Sequence, residues 1–289
     1  MKNKKILILG HTGFVGRELV EEFKTKKIKF DCYSRSQITY NNKKIKNSPK
    51  ILDKLIRDNK IIINCVGENI ETKYMNSRNY IFVKKILKLI DKTNQKKKLI
   101  HISSCAVYGS YFHLKNFLIS ENTLTNPISK YAKTKLKGER LIIQNKNKKL
   151  KYTIIRPSQV VGKNMKAPGF INLSKFIKRR IFVYVSTIDA VRNYVNSKDL
   201  TSLIFEICKS NKIKNNIYII SRYSRLKSIV KFIEKNQKIK SYFNFVIPKF
   251  LMVSIVNTLR FFNKNFPVNK ETIEGLSTTT KIKSNIFKD

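Results

Sequence analysis

Leu9-Gly10-His11-Thr12-Gly13-Phe14-Val15-Gly16 is the stretch on which the reading of the fold turns. It follows a short apolar run, Lys5 to Leu9, predicted as a buried strand. It opens a segment, Phe14 to Lys26, whose apolar residues (Phe14, Val15, Leu19, Val20, Phe23) recur at helical spacing. Glycines at such a junction permit a tight turn and a close approach of the backbone to a pyrophosphate, and the helix N-terminus adds free N–H groups and a positive dipole end. The spacing is Gly-x-x-Gly-x-x-Gly, not the commoner Gly-x-Gly-x-x-Gly. Taken alone it also fits a glycine-rich turn with no ligand.

Outward from that turn the chain alternates. Strands are predicted at Ile28 to Ser34, Ile61 to Val66, Leu99 to Ser104 and Tyr152 to Arg156. Helices are predicted at Ile51 to Asp58, Met75 to Asp91 and Ser129 to Gln144. Such alternation implies right-handed crossovers and a parallel sheet covered on both faces. After Pro157 the pattern loosens. Helices are read at Phe170 to Arg179, Leu200 to Lys209 (with Asp199 as N-cap) and Leu226 to Lys235, and a late strand at Asn216 to Ile220. The segment Tyr242 to Phe266 is strongly apolar and interrupted by Pro248. It is read as a core-packed helical subdomain, with an interfacial amphipathic helix as the alternative.

Composition bounds the rest. The 289 residues suffice for one large domain or two modest ones, and 42% hydrophobic residues exclude a disordered chain. No apolar stretch approaches the roughly 18 to 20 uncharged residues of a membrane-spanning helix. The apolar run behind the basic start is too short for a secretory signal, so a cytoplasmic protein is expected. The net charge is +43, from 61 basic and 18 acidic residues. That field suits any polyanion. The lysines are spread along the whole chain, however, so a solvated surface is expected rather than a nucleic-acid partner. Cys32, Cys65, Cys105 and Cys208 are isolated and read as reduced, mostly buried thiols; three scattered histidines offer no metal set.

Two further groups carry chemistry. Tyr131 and Lys135 are four apart, on one face of a predicted helix. An ammonium beside a phenol would lower its pKa and ready it to exchange a proton with a carbonyl or alcohol oxygen. Ser103-Ser104-Cys105-Ala106-Val107-Tyr108-Gly109 ends a strand at the edge where open parallel sheets bind ligands. A serine hydroxyl there can hold a substrate oxygen or simply cap the strand end.

In order and spacing these motifs resemble the extended short-chain dehydrogenase/reductase family, the NAD-dependent epimerase/dehydratase and nucleotide-sugar group. The resemblance runs over about residues 4 to 235. It takes in Gly10 to Gly16, Asn64-Cys-Val-Gly67, Asn79 opening the long central helix, Ile102 to Gly109 and Tyr131/Lys135 with Glu139. It continues through Ile155-Arg-Pro-Ser-Gln-Val-Val-Gly162 and Arg192 to Leu200. It implies a doubly wound, Rossmann-type α/β fold: a dinucleotide-binding domain over residues 1–160 and a smaller substrate domain over 161–289, with about 190–222 returning to the main sheet. It implies Tyr131 as acid/base, Lys135 on the nicotinamide ribose and lowering the Tyr131 pKa, and Ser104 on the reacting oxygen. Gly10, Thr12, Gly13, Phe14, Val15, Gly16, Cys65, Val66, Gly67 and Pro157 would surround the cofactor. Cys105 would border the substrate, more as a packed thiol than as a second acid.

Relatives using NAD usually end the second strand with an acid. Here Ser34 and Arg35 stand at that place and Asp31 falls too early, which favours NADP(H) over NAD(H). Arg192 lies where nucleotide-sugar relatives contact a diphosphate, although Asn196 and Ser197 depart from the usual His-Val. The expected activity is 4-keto reduction or 4-epimerisation of a nucleotide-sugar in surface-polysaccharide precursor synthesis. The alternatives are a reductase of a lipid-like or other small ketone, and a non-catalytic cofactor-binding sensor or assembly subunit. A homodimer through the helices at Met75 to Asp91 and Ser129 to Gln144 is expected, with peripheral membrane contact through the apolar tail left open.

Overall fold

The computed structural model describes residues 5–286, apart from 41, 42, 45, 47, 49, 164, 166, 167, 211–214, 240–244, 265 and 267. The basic start and the first residues of the apolar tail, 242–244, thus lie outside the described residues.

The first half alternates strand and helix: β1 (Ile6–Leu9), α1 (Phe14–Thr25), β2 (Asp31–Tyr33), β3 (Ile38–Tyr40), β4 (Lys43–Lys44), α2 (Ile51–Asp58) and β5 (Ile61–Asn64). The long central helix is composite: α3 (Thr72–Asn76), a π-helical turn (Ser77–Ile81) and α4 (Phe82–Thr93). After it come β6 (Lys97–Ile102), a 3₁₀ segment (Cys105–His113), β7 (Leu118–Ile119), α5 (Lys130–Ile143) and β8 (Leu150–Pro157). The second half comprises β9 (Gln159–Val161), α6 (Pro168–Lys178), β10 (Tyr184–Val185), β11 (Val191–Asn196), α7 (Ser197–Lys209), β12 (Asn216–Ile220), β13 (Arg222–Arg225), α8 (Leu226–Gln237), β14 (Val246–Ile247), α9 (Lys249–Phe262), α10 (Lys270–Ser277) and β15 (Lys281–Ile282).

The main sheet runs β12-β8-β6-β5-β1-β2-β3-β4. Neighbours from β12 to β2 are parallel, and β3 and β4 extend the edge antiparallel. From β1 the chain steps outward to β2 and then returns to β5 on the other side. The strand order therefore reverses between β1 and β5, which opens a crevice at their carboxyl ends. The fold is the doubly wound, Rossmann-type α/β arrangement.

Alternation along the strands separates two cores. Ile6, Ile8, Ile61, Ile63, Ile100 and Ile155 pack with α1 and α7 on one face. Leu7, Leu9, Ile62, Leu99 and Ile154 pack with α2, α4 and α5 on the other. Neighbouring lysines on β6 use both faces. Lys97 Nζ donates to the carbonyls of Ile56, Arg57 and Asn59 at 2.7–2.8 Å, closing the end of α2, while Lys98 Nζ reaches the carbonyls of Ile207 and Ser210 at the end of α7.

Four sequence expectations change. The second strand is only Asp31–Tyr33, and Ser34 already belongs to the turn that it closes with Gln37. α7 starts at Ser197, and its N-cap is Asn196, not Asp199. Asn79 lies inside the composite helix rather than opening it. Pro248 interrupts the apolar segment as expected, standing between β14 and α9 as the helix N-cap; α9 packs one face, around Val256, against Val185 and Ile273 and leaves its other face exposed. β12 joins the main sheet beside β8, whereas β11 pairs with β9 and β13 in a separate small sheet.

Candidate active site

The crevice at the β1/β5 switch has a volume of about 720 Å³. Gly13, Phe14 and Val15 form one wall, Cys65 and Gly67 another; Ser104, Tyr131 and Lys135 line it with Pro157 and Arg192. The turn before α1 has strict geometric needs. Gly10 adopts φ +80°, where only glycine is at ease, and a Cβ there would come within 2.9 Å of the Val66 amide. A Cβ on Gly16 would run into the Gly10 carbonyl. Gly13 caps α1 without any side-chain hydrogen bond, and no acidic residue sits in the first turn. The N–H groups of that turn are left to an external acceptor.

Facing this turn, Ser129 caps α5 by accepting from the Ala132 amide at 3.2 Å. That fixes the phase of the helix carrying Tyr131 and Lys135. Lys135 is buried, and Nζ donates to the Ile102 carbonyl at 2.8 Å. Burial pushes its pKa down to about 8, with Glu139 and Cys65 opposing. A Cβ on Gly67 would lie 3.0 Å from that Nζ, so the glycine leaves the ammonium its room. Burial raises the Tyr131 pKa, and a hydrogen bond with the Ser104 hydroxyl pulls it the other way. Lys135 is not among the groups that shift Tyr131. The expected lowering of the phenol by this lysine is thus not what sets its pKa here: burial does, upward.

Ser104 has two roles. Its hydroxyl meets Tyr131, and it also accepts from the Ala106 amide at 3.1 Å, capping the 3₁₀ segment. Cys105 is packed in a core cluster, and its thiol donates to the Arg156 carbonyl at 3.1 Å. Burial drives its pKa strongly upward, so it borders the crevice as an inert thiol. Ser34 is likewise engaged. Its hydroxyl accepts from the Gln37 amide and donates to the Gln37 carbonyl, both at 2.9 Å; of the Ser34/Arg35 pair it is Arg35 that is exposed. Asp31 is at the opposite end of that strand, where it accepts from Asn59 Nδ2 at 2.8 Å. Gly10, Thr12, Gly16, Val66, Ser34 and Arg35 shape the surroundings without lining the crevice.

Behind the crevice lies a buried network that the spacing did not reveal. Arg156 NH2 meets Glu139 Oε2 at 2.6 Å, and NH1 donates to the Tyr108 hydroxyl at 2.6 Å. Both Glu139 and Tyr108 are fully buried. These residues belong to the Tyr-Gly, Lys135/Glu139 and Ile-Arg-Pro motifs, but only the fold shows that they meet. The π turn presents Asn79 in the same way. Asn79 Oδ1 accepts from the Glu68 amide at 2.9 Å, and Nδ2 donates to the Glu68 carbonyl and to Thr134 Oγ1. It thereby ties the loop after β5 to α5. Ser103 and Ser158 also line the crevice, and each has a buried hydroxyl without a partner among the described residues. Orphaned hydroxyls, uncapped helix amides and a glycine-cleared cradle fit an elongated polar ligand such as a dinucleotide.

The model of the NAD dependent epimerase/dehydratase family matches residues 6–221. The chain belongs to that family. It is an NAD(P)-dependent enzyme of the extended short-chain dehydrogenase/reductase type. Solved structures resemble this epimerase/dehydratase-family chain at low identity. UDP-glucuronic acid 4-epimerase from Bacillus cereus, in complex with NAD, is 21% identical with a TM-score of 0.65, over 84% of this chain and 88% of that one. dTDP-4-dehydrorhamnose reductase from Bacillus anthracis, in complex with NADP, is 19% identical with a TM-score of 0.64, over 86% and 85%. These similarities show the shared fold. No curated protein sequence matches the chain significantly. Among the described residues no helix is long and apolar enough to cross a membrane, and no cluster of His, Cys, Asp or Glu could hold a metal ion.

Proposed function

We propose that this enzyme reduces or epimerises, at a secondary alcohol or keto carbon, a sugar carried on a diphosphate, with Tyr131 as the acid/base. The supporting observation is the convergence of Tyr131, Ser104 and Lys135 on a crevice whose far wall is the uncapped start of α1. The nicotinamide, when bound, supplies or accepts the hydride. The amides opening α1 would hold its pyrophosphate, and Lys135 its ribose. Ser104 would orient the reacting oxygen, and Tyr131 would give it a proton or take one. The high pKa of the free phenol favours the protonated form, ready to donate in the reducing direction.

NADP(H) is the favoured cofactor in this reading, with NAD(H) the alternative. Arg35, exposed beyond β2, would meet a 2′-phosphate, and no carboxylate stands there to bond a free ribose hydroxyl. Nucleotide-linked sugars are named for the solved neighbours, which supports a sugar diphosphate here, and surface-polysaccharide precursor synthesis is the process proposed with it. A homodimer through the helices at Met75 to Asp91 and Ser129 to Gln144 is part of the same reading; Ile81 in the first and Ile143 in the second are exposed. Light scattering on the purified chain tests it.

The decisive experiment replaces Tyr131 by Phe. The expected result is a loss of turnover of about 10²–10⁴-fold with NADP(H) binding retained. Undiminished turnover removes Tyr131 from the chemistry.

A further inference from the structure

Beside the crevice lies a second cavity of about 440 Å³. Its walls come largely from α6, α9 and α10 and are apolar: Leu173, Phe176, Val256, Leu259, Ile273 and Leu276. Arg192 on β11 lines both cavities. Its NH1 donates to the Gly275 carbonyl at 2.9 Å, its NH2 to Gln159 Oε1 at 3.3 Å, and its guanidinium lies 5.6 Å from the Phe170 ring centre. Among the described residues no carboxylate pairs with it, and burial lowers its pKa. The guanidinium packs directly on Gly275, where a Cβ would lie 2.8 Å from NH1. A desolvated guanidinium with neutral partners, lining both cavities, is a site for an anion, phosphate above all.

The apolar cavity decides what that phosphate is attached to. A nucleoside is held by polar groups that read its base and ribose. Here the polar side chains at the rim are largely committed elsewhere. Asn269 Oδ1 caps α10 by accepting from the Thr272 amide at 2.9 Å, and the Thr272 hydroxyl donates to that same oxygen at 2.8 Å. The cavity is roofed by α9, whose other side is turned outward with Phe250 77%, Phe261 82% and Phe262 81% exposed. From residue 235 to residue 270 the sequence has seven Lys or Arg and no Asp or Glu. An apolar helix whose own segment carries cations and no acid, with Lys249 paired to Glu274 of α10, is the complement of an anionic amphiphile or the bilayer that carries it.

We propose that the second cavity receives the hydrocarbon chain of a phosphate-linked lipid carrier, with the phosphate on Arg192 and the sugar directed into the crevice. The inference rests on the sugar-oxidoreductase reading of that crevice and replaces the nucleoside of the carrier by a lipid.

The test is calorimetric titration of the full chain with decyl phosphate below its micelle-forming concentration, and with butyl phosphate, inorganic phosphate and uridine 5′-diphosphate. Decyl phosphate is expected to bind at least about 30-fold more tightly than butyl phosphate, since six further methylenes leave water. Arg192→Ala should weaken it at least about tenfold. Leu259→Glu, at a cavity-lining position already 41% exposed, should abolish the chain-length dependence while thermal unfolding and NADP(H) binding stay as in the parent chain. Equal affinity for decyl and butyl phosphate, or a chain-length dependence that survives Leu259→Glu, overturns the proposal. So does uridine 5′-diphosphate binding more tightly than decyl phosphate and being lost in Leu259→Glu, which puts a nucleoside in the cavity. Turnover persisting in Tyr131→Phe would instead fail the reading of the crevice, and leaves the decyl phosphate result intact.

Discussion

The two cavities share Arg192, yet the walls on either side of it are built differently. Around the crevice, buried polar groups answer one another: Glu139 holds Arg156, Arg156 holds Tyr108, Asn79 holds the Glu68 backbone, and Lys135 rests on the Ile102 carbonyl. Around the second cavity the contacts are almost all between hydrocarbon groups, and α9 leaves its largest aromatics in solvent. The first wall is specified by directional bonds and tolerates little change. The second is held mostly by area, beside the ion pair of Lys249 with Glu274 and the hydrogen bond from Arg192 to Gly275, and can yield to whatever fills it.

That contrast can be broken most forcefully at Glu139. Glu139→Gln leaves the Arg156 charge buried with a weakened partner. The expected loss is about 3–5 kcal/mol in urea unfolding. A loss under about 1 kcal/mol would put the network on the footing of a surface pair. A smaller effect is expected at Lys135. Its folded pKa of about 8 lies below the ordinary 10.5, so between those values the unfolded chain binds more protons and stability rises with pH. The parent chain should therefore gain on Lys135→Met as pH climbs through that window, by at most about 1.4 kcal/mol per pH unit. A flat difference would mean that the ammonium is not desolvated. Least is expected of the double variant Phe261→Asp, Phe262→Asp, whose stability should stay within about 0.5 kcal/mol of the parent. Its sedimentation with vesicles of phosphatidylglycerol and phosphatidylcholine at low salt should nevertheless fall sharply. Unchanged vesicle binding would remove α9 from the lipid contact.

The same contrast governs what could be read from the chain. Ile61 to Asn64 and Ile6 to Leu9 are legible as strands because runs of branched residues between turn signals leave few alternatives. The glycine turn and the Tyr131/Lys135 pair are legible because their contacts are local: three residues around one turn, four around one helix. Arg156 and Glu139 are 17 residues apart, and Lys97 and Ile56 are 41 apart. No period announces such meetings. β3 and β4 escape because they are two or three residues long and follow a turn stitched by Ser34 and Gln37. α9 misleads for another reason. A helix apolar nearly all round implies burial, but only the fold shows whether there is enough protein around it to supply the cover.

The pair Lys97 and Lys98 bears on how so basic a chain folds at all. With 61 cations and 18 acids, most cations can have no carboxylate. Among the buried cationic side chains of the described residues, Lys97, Lys98 and Lys135 donate to peptide oxygens, while Arg156 is held by Glu139. Main-chain oxygen is an acceptor that every residue supplies, whatever its side chain. A buried lysine is thus tolerated wherever a helix ends nearby, and two successive positions on one strand can rivet the layers above and below it.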